Sequence, residues 1–146
     1  MIIRTMTIED YEGVYELWIN TPGMGLNTTD DSYDGIGKYL KRNPDTSFVA
    51  IEEGRIIGII LAGHDGRRGY IHHTAVLPEH RRKGIGKALL ENAMKALEAQ
   101  GISKVALVVF VRNEDGNAFW ENMGFTERED LVYRNRNIIE LERIDT

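Results

Sequence analysis

Apolar residues recur along the chain at two spacings, and the switches between them mark out its elements. Ile2 to Met6 reads as a short strand running into Thr7, a residue type that caps helix starts, with Glu9 and Asp10 in the first turn. Ile8, Tyr11, Val14, Tyr15, Trp18 and Ile19 then follow helical spacing, which predicts an amphipathic first helix ending near Thr21-Pro22-Gly23. The stretch from Gly25 to Gly37 is polar and acidic; a second short helix is expected from about Asp31 to Lys41, closed by Asn43-Pro44.

Two β-rich runs follow, SFVAIEE (Ser47 to Glu53) and RIIGIILAGHD (Arg55 to Asp65), joined near Glu53-Gly54 as a hairpin. Gly66 to Gly69 marks a further turn and YIHHTAV (Tyr70 to Val76) a fourth strand. After it, Ile85, Ala88, Leu89, Ala93, Ala96 and Leu97 form one apolar stripe, with Gly101 as the stop, so this is the clearest helix of the chain. KVALVVFV (Lys104 to Val111) is almost wholly apolar and β-branched, the pattern of a parallel strand buried on both faces, and a helical crossover links it to YIHHTAV. A short helix ending at Gly124 and two strands, FTEREDLVY and NRNIIELER, complete the order βαα-βββ-α-β-α-ββ. That order predicts an α/β (α+β) fold: a mixed central sheet of about 6–7 strands with helices on both faces, in a single domain over residues 1–146.

Composition narrows the chemistry. A chain of 146 residues, 42% hydrophobic, is sized for one core, and its net charge of -5 argues against broad binding to nucleic acid or anionic membrane. With no cysteine, disulfides, thiolate metal sites and a cysteine nucleophile are all excluded. No His/Asp/Glu cluster has ligand spacing, so no metal is expected. The N-terminus lacks a basic region followed by an apolar stretch, and no run approaches the roughly 20 apolar residues of a membrane span. The expectation is a soluble, unprocessed, cytoplasmic protein, monomer or homodimer.

Against that acidic background, RRKGIGKA (Arg81 to Ala88) crowds four cations around Gly84 and Gly86 at the start of the third helix. A helix N-terminus already carries about half a positive charge, so cations there call for something negative nearby. A dinucleotide fingerprint fails because Leu89 stands where its third glycine belongs; a P-loop fails because Arg81 holds its first glycine position and Ala88 its hydroxyl. Two readings remain from the spacing: a solvated basic turn, or a phosphate site built from unpaired N–H groups, with Arg82, Lys83 and Lys87 adding charge-assisted contacts.

The run AVLPEHRRKGIGKALL resembles the acyl-CoA signature of the GNAT superfamily of N-acetyltransferases, whose pattern is Arg or Gln, two residues, Gly, one residue, then Gly or Ala. Downstream, NEDGNAFWENMGF (Asn113 to Phe125) is similar to the same family's segment of asparagine, spacer, small and aromatic residues, and glycine-aromatic close. The order of elements is that of the family too, so the resemblance covers nearly the whole chain.

The resemblance implies acetyl-CoA as co-substrate and a V-shaped splay between strands 4 and 5. Its pyrophosphate would lie on the loop and helix start formed by Arg81, Arg82, Lys83, Gly84, Ile85, Gly86 and Lys87. The pantetheine arm would run between the splayed strands and pair with main-chain groups of Thr74, Ala75 and Val76, the Val76 N–H serving the thioester carbonyl. Asn113 would contact the arm, a role compatible with capping a helix. Trp120 would wall the arm or pack in the core.

Direct attack by an amine needs its proton removed. His72 stands where certain relatives carry a catalytic histidine, and an imidazole suits a base at neutral pH. It is the candidate base, although a polar strand residue is the other reading. Strand alternation puts Tyr70, His72 and Thr74 on one face and Ile71, His73 and Ala75 on the other, leaving His73 structural. Two family features are absent. Trp120 replaces the tyrosine that protonates the leaving thiolate, for which Tyr70, Tyr133 or water would have to substitute, and Val108 holds the place of an alternative glutamate base. The implied activity is transfer of an acetyl group to a primary amine of a small molecule or peptide. An acyl-CoA sensor that kept the loop and lost catalysis is the alternative. For the acceptor side, Asp30, Asp31, Asp34 and Glu16 are candidates to steer a cationic amine or simply solvated residues, and Tyr11, Tyr15 and Trp18 groove wall or core.

Overall fold

In the computed structural model, which describes residues 1–144, β1 (Ile2–Thr5) leads through a 3-10 turn (Ile8–Asp10) into α1 (Tyr11–Ile19). The last two residues of the expected domain lie outside the described part. At that entry the Asp10 carboxylate accepts from the Thr7 N–H at 2.9 Å and from both terminal nitrogens of Arg4, at 2.8 and 2.7 Å. Burial pulls this carboxyl upward, but Arg4 and the Thr7 N–H outweigh it and hold it below the ordinary range. α2 (Tyr33–Arg42) is capped by Ser32, whose side chain accepts from the Gly35 N–H at 2.9 Å.

β2 (Phe48–Glu52) and β3 (Arg55–His64) form the expected hairpin, with Glu53 at φ 51 and Gly54 at φ 75, the positive pair that a right-twisted two-residue turn requires. β4 (Gly69–Val76) follows antiparallel, and after α3 (Ile85–Ala99) the chain returns as β5 (Val105–Ala106), parallel to β4. The sheet order is β1-β2-β3-β4-β5, and α4 (Glu114–Asn122) comes last. One core layer joins α1 and α2 to the sheet through Trp18, Leu17, Ile36, Leu40, Ile59 and Leu61; the other seats α3 and Trp120 of α4 on Ile57, Ile60, Ala62 and Ile71.

Two expectations need correction. The strand expected over residues 104–111 pairs for two residues only, Val105 with Gly69 and Ala106 with Tyr70, and Val108 and Val111 are 57% and 96% exposed rather than buried on both faces. The two closing strands do not form, so among the described residues the sheet has five strands and not 6–7. The reasons are linked, because a β-prone run becomes a strand only where an edge accepts its backbone groups. Arg128 pairs locally with Asp130, and the one bridge made by this segment joins Arg143 to Asn27 near α2, not to β5. Among the described residues β4 is the only strand that pairs with β5, and the pairing ends at Tyr70.

Candidate active site

That divergence opens the site. Beyond Tyr70 the outer edge of β4 faces no strand. Leu77 N–H bonds the Ile57 carbonyl at 2.9 Å, so by antiparallel alternation the N–H groups of Val76 and Thr74 turn away from β3 and toward the gap. The Val76 carbonyl on that side accepts from Arg81 Nε at 3.0 Å. Arg81, expected among the phosphate contacts, fastens the loop to β4 through this Nε bond.

At the α3 start, Gly84 is the N-cap residue at φ 81, and no side chain caps the helix. The first intrahelical bond is Ala88 N–H to the Gly84 carbonyl at 3.0 Å, which leaves the N–H groups of Ile85, Gly86 and Lys87 ahead of it. Arg82, at φ 62, and Lys83 are exposed beside them, and Lys87 approaches Glu91 only at 4.0 Å. An added Cβ at Gly84 would meet nothing, whereas at Gly86 it would stand 3.2 Å from Phe119 of α4. Only the first glycine faces open space; the second lets α4 pack on α3. The side chains of Ile85 and Ala75 are buried in the core, leaving only their main chain for a ligand.

Between the splayed strands and α2 runs a cleft of about 1530 Å³ lined by Tyr70 to Thr74, Val108 to Val111, Asn113, Trp120 and Tyr133 on one side and, on the other, by Gly23 to Gly25, Asp30, Asp31, Lys38, Tyr39, Lys41 and Arg42. Its central feature is a β-bulge. Ile60 pairs with Thr74 and Ala62 with Ile71, so Leu61 alone opposes both His72 and His73. Simple alternation therefore fails, and both imidazoles turn toward α1 and α2. His73 packs edge-on against Trp18 at 5.1 Å, and its Nε2 lies 2.8 Å from Asp31 Oδ1. His72 packs against Tyr39 of α2 at 5.4 Å and Tyr70 at 4.6 Å. Tyr39 can lie so close because Gly63 beneath its hydroxyl has no Cβ.

His72 reaches solvent in the cleft yet is crowded by protein. Desolvation first, and then the neighbouring His73, lower its pKa below the ordinary 6.5, outweighing the upward pull of Asp31 and Asp30. The shift favours the neutral imidazole, the form able to take a proton. Tyr70 moves the other way, its hydroxyl raised by burial and then by Tyr133, so it holds its proton.

Asn113 caps α4, accepting from the Gly116 N–H at 2.9 Å, and also lines the cleft. Asn117, not singled out from sequence, donates from Nδ2 to the carbonyls of Phe110 at 3.0 Å and Asn113 at 2.8 Å, fixing the turn that presents this cap. Trp120 is both wall and core: it lines the cleft and packs edge-on against Phe119 and Phe125. On the acceptor side Asp30 and Asp31 line the cleft, but Asp34 does not, and Glu16 faces a separate small pocket by α1. Trp18 is fully buried, and the Tyr11 hydroxyl anchors the loop by donating to the Asp31 carbonyl at 2.6 Å. Tyr39 and the cations Lys38, Lys41 and Arg42 were missed; nothing in their spacing distinguished a cleft-lining flank from a solvated one. Among the described residues no group of three or more His, Asp or Glu is placed to hold a metal ion, and no helix is long and apolar enough to cross a membrane.

The model of the Acetyltransferase (GNAT) family matches residues 11–125. A curated acetyltransferase of Photorhabdus laumondii is 33% identical over 144 residues, covering 97% of this chain and 99% of the relative. One from Pectobacterium atrosepticum is 31% identical over 140 residues, covering 96% and 97%. Among solved structures, the aminoglycoside 6'-N-acetyltransferase of Acinetobacter haemolyticus superposes with a TM-score of 0.74 at 20% identity, over 95% of this chain and 100% of that one. The PaiA N-acetyltransferase of Thermoplasma acidophilum, in complex with coenzyme A, gives 0.71 at 23% identity, over 84% and 87%.

Proposed function

Since the chain belongs to the acetyltransferase (GNAT) family, we propose that it transfers the acetyl group of acetyl-CoA to a primary amine of a small molecule or peptide by direct attack, as one domain. The observation that carries this reading is the divergence of β4 from β5. It leaves the Thr74 and Val76 N–H groups unpaired between an uncapped, cation-flanked helix start and a cleft containing a neutral imidazole.

Residue by residue, the N–H groups at the start of α3 with Arg82, Lys83 and Lys87 hold the pyrophosphate. The outer edge of β4 pairs with the pantetheine arm, and Asn113 and Trp120 bound it. Val76 N–H donates to the thioester oxygen as negative charge grows there, a contribution on the order of 3 kcal/mol. His72 removes the proton of the attacking amine, directly or through one water. The new C–N bond forms, the C–S bond breaks, and coenzyme A leaves as thiolate. A thiol pKa of about 8.5 lets it leave without a strong acid; the thiolate then takes a proton from water, or from Tyr70 or Tyr133, which is reprotonated in turn by the imidazolium of His72 or by solvent.

Trp120 in the position of the family's acidic tyrosine favours a second reading, an acyl-CoA sensor without turnover. Thermal shift with acetyl-CoA, NAD and ATP separates ligands: at 100 times its Kd, a specific ligand stabilises by roughly 2.7 kcal/mol. A shift with acetyl-CoA is expected, and its absence sinks both readings. Thiol release across a panel of primary amines then decides between them, because a sensor raises none above background.

A further inference from the structure

Lys38, Lys41 and Arg42 stand at i, i+3 and i+4 on α2, which puts them on one flank of that helix. All three are exposed, and all three line the cleft that contains His72. None has an ion-pair partner among the described residues, although like charges at this spacing work against a helix. Favourable interaction with the C-terminal end of the helix offsets part of that repulsion for Lys41 and Arg42, but does not explain why the cations face the cleft.

Their placement gives the cleft two signs. Asp31, held by His73, and Asp30 lie at the N-terminal end of α2, with the three cations toward its other end. Tyr39, within this same turn, touches His72 and so ties the cationic flank to the candidate base. The pyrophosphate loop is a different element: none of Arg81 to Lys87 lines this cleft.

We infer that the acceptor is an amine that also bears an anionic group, a carboxylate or a phosphate, with the amine at His72 and the anion on Lys38, Lys41 and Arg42. The inference rests on the transferase reading for its chemistry but not for its test. A polycationic amine meets three uncompensated cations here and is disfavoured. The fold shared with an aminoglycoside enzyme does not transfer that enzyme's acceptor.

The test is equilibrium binding by calorimetry to the full chain saturated with coenzyme A, using amine pairs that differ in one anion. Glycylglycine is compared with glycylglycinamide for a carboxylate, O-phosphoethanolamine with ethanolamine for a phosphate, and spermidine is the polycation. The anionic member of at least one pair is expected to bind about tenfold or more tightly, the scale of a charge-assisted contact, and the pair identifies which anion. The margin should shrink in Lys41→Gln/Arg42→Gln and, in the unaltered protein, with added salt, while acetyl-CoA affinity stays the same. Equal binding within both pairs, binding of none, tightest binding of spermidine, or a loss of acetyl-CoA affinity in the variant overturns the inference. Should the preference hold while no amine releases thiol, the anion site stands and the transferase reading falls.

Discussion

His73 Nε2 and Asp31 Oδ1 meet at 2.8 Å across 42 residues of sequence, joining the bulged middle of β4 to the loop that precedes α2. Asp31 is only 4% exposed, and its other oxygen accepts from the Asn27 N–H at 2.9 Å. One carboxylate therefore fixes the loop before α2 against the strand that bears the candidate base.

Replacing Asp31 with Ala leaves the half-buried Asn27 N–H and the His73 imidazole without their acceptor, at an expected cost of about 1–3 kcal/mol, read as a lower denaturant midpoint. Asp31→Asn keeps one acceptor oxygen and recovers part of the loss. An Ala variant as stable as the parent would mean that Tyr11, bonded to the Asp31 carbonyl, holds the loop by itself.

His72→Ala is expected to lower turnover by about 10²–10⁴-fold at neutral pH, the range of general-base catalysis, with acetyl-CoA affinity unchanged. Because His72 in the free protein is shifted below its ordinary value, the acidic limb of the parent's kcat/KM profile should centre below pH 6.5. If that limb persists in His72→Ala, another group or water is the base.

The same shift links folding to pH. The unfolded chain takes up the His72 proton near 6.5 and the folded chain only at lower pH, so between those values the unfolded state binds more protons. Stability should therefore be full above pH 6.5 and fall as pH drops through that window. His72→Gln should flatten this part of the curve in urea titrations at several pH values; an identical slope would assign it elsewhere.

The two loop glycines should fail differently. Gly84→Ala forces a side chain into the left-handed region at φ 81, costing about 1–2 kcal/mol. Gly86→Asp meets Phe119 and also sets a negative charge at the proposed phosphate site, so it should lower both stability and acetyl-CoA affinity. In Gly86→Asp/Phe119→Leu stability should partly return while affinity stays low. Recovery of both together would reduce Gly86 to a packing residue.

Helix periodicity, the Glu53-Gly54 hairpin, the parallel crossover and the glycine loop were legible in the chain because each depends on residues within a few positions of one another. The position of His72 was legible through the family resemblance as well. Its direction was not. A bulge opposite Leu61 turned it to the same side as His73, and no pattern within YIHHTAV marks where a ladder slips.

The ends of strands were less legible still. KVALVVFV has the composition of a buried strand, yet it pairs for two residues because β4 leaves it and the closing segment does not arrive. By itself the sequence determined which stretches tend to helix or strand, where turns fall and that cations crowd a glycine loop at the start of α3, since local sterics and periodicity suffice for these. Only the tertiary structure decided which edges find partners, that Arg81 clasps β4, and that Asp31, His72 and the α2 cations share one cleft. A backbone edge or a side chain acquires its role from what stands across from it, and here that neighbour lies dozens of residues away.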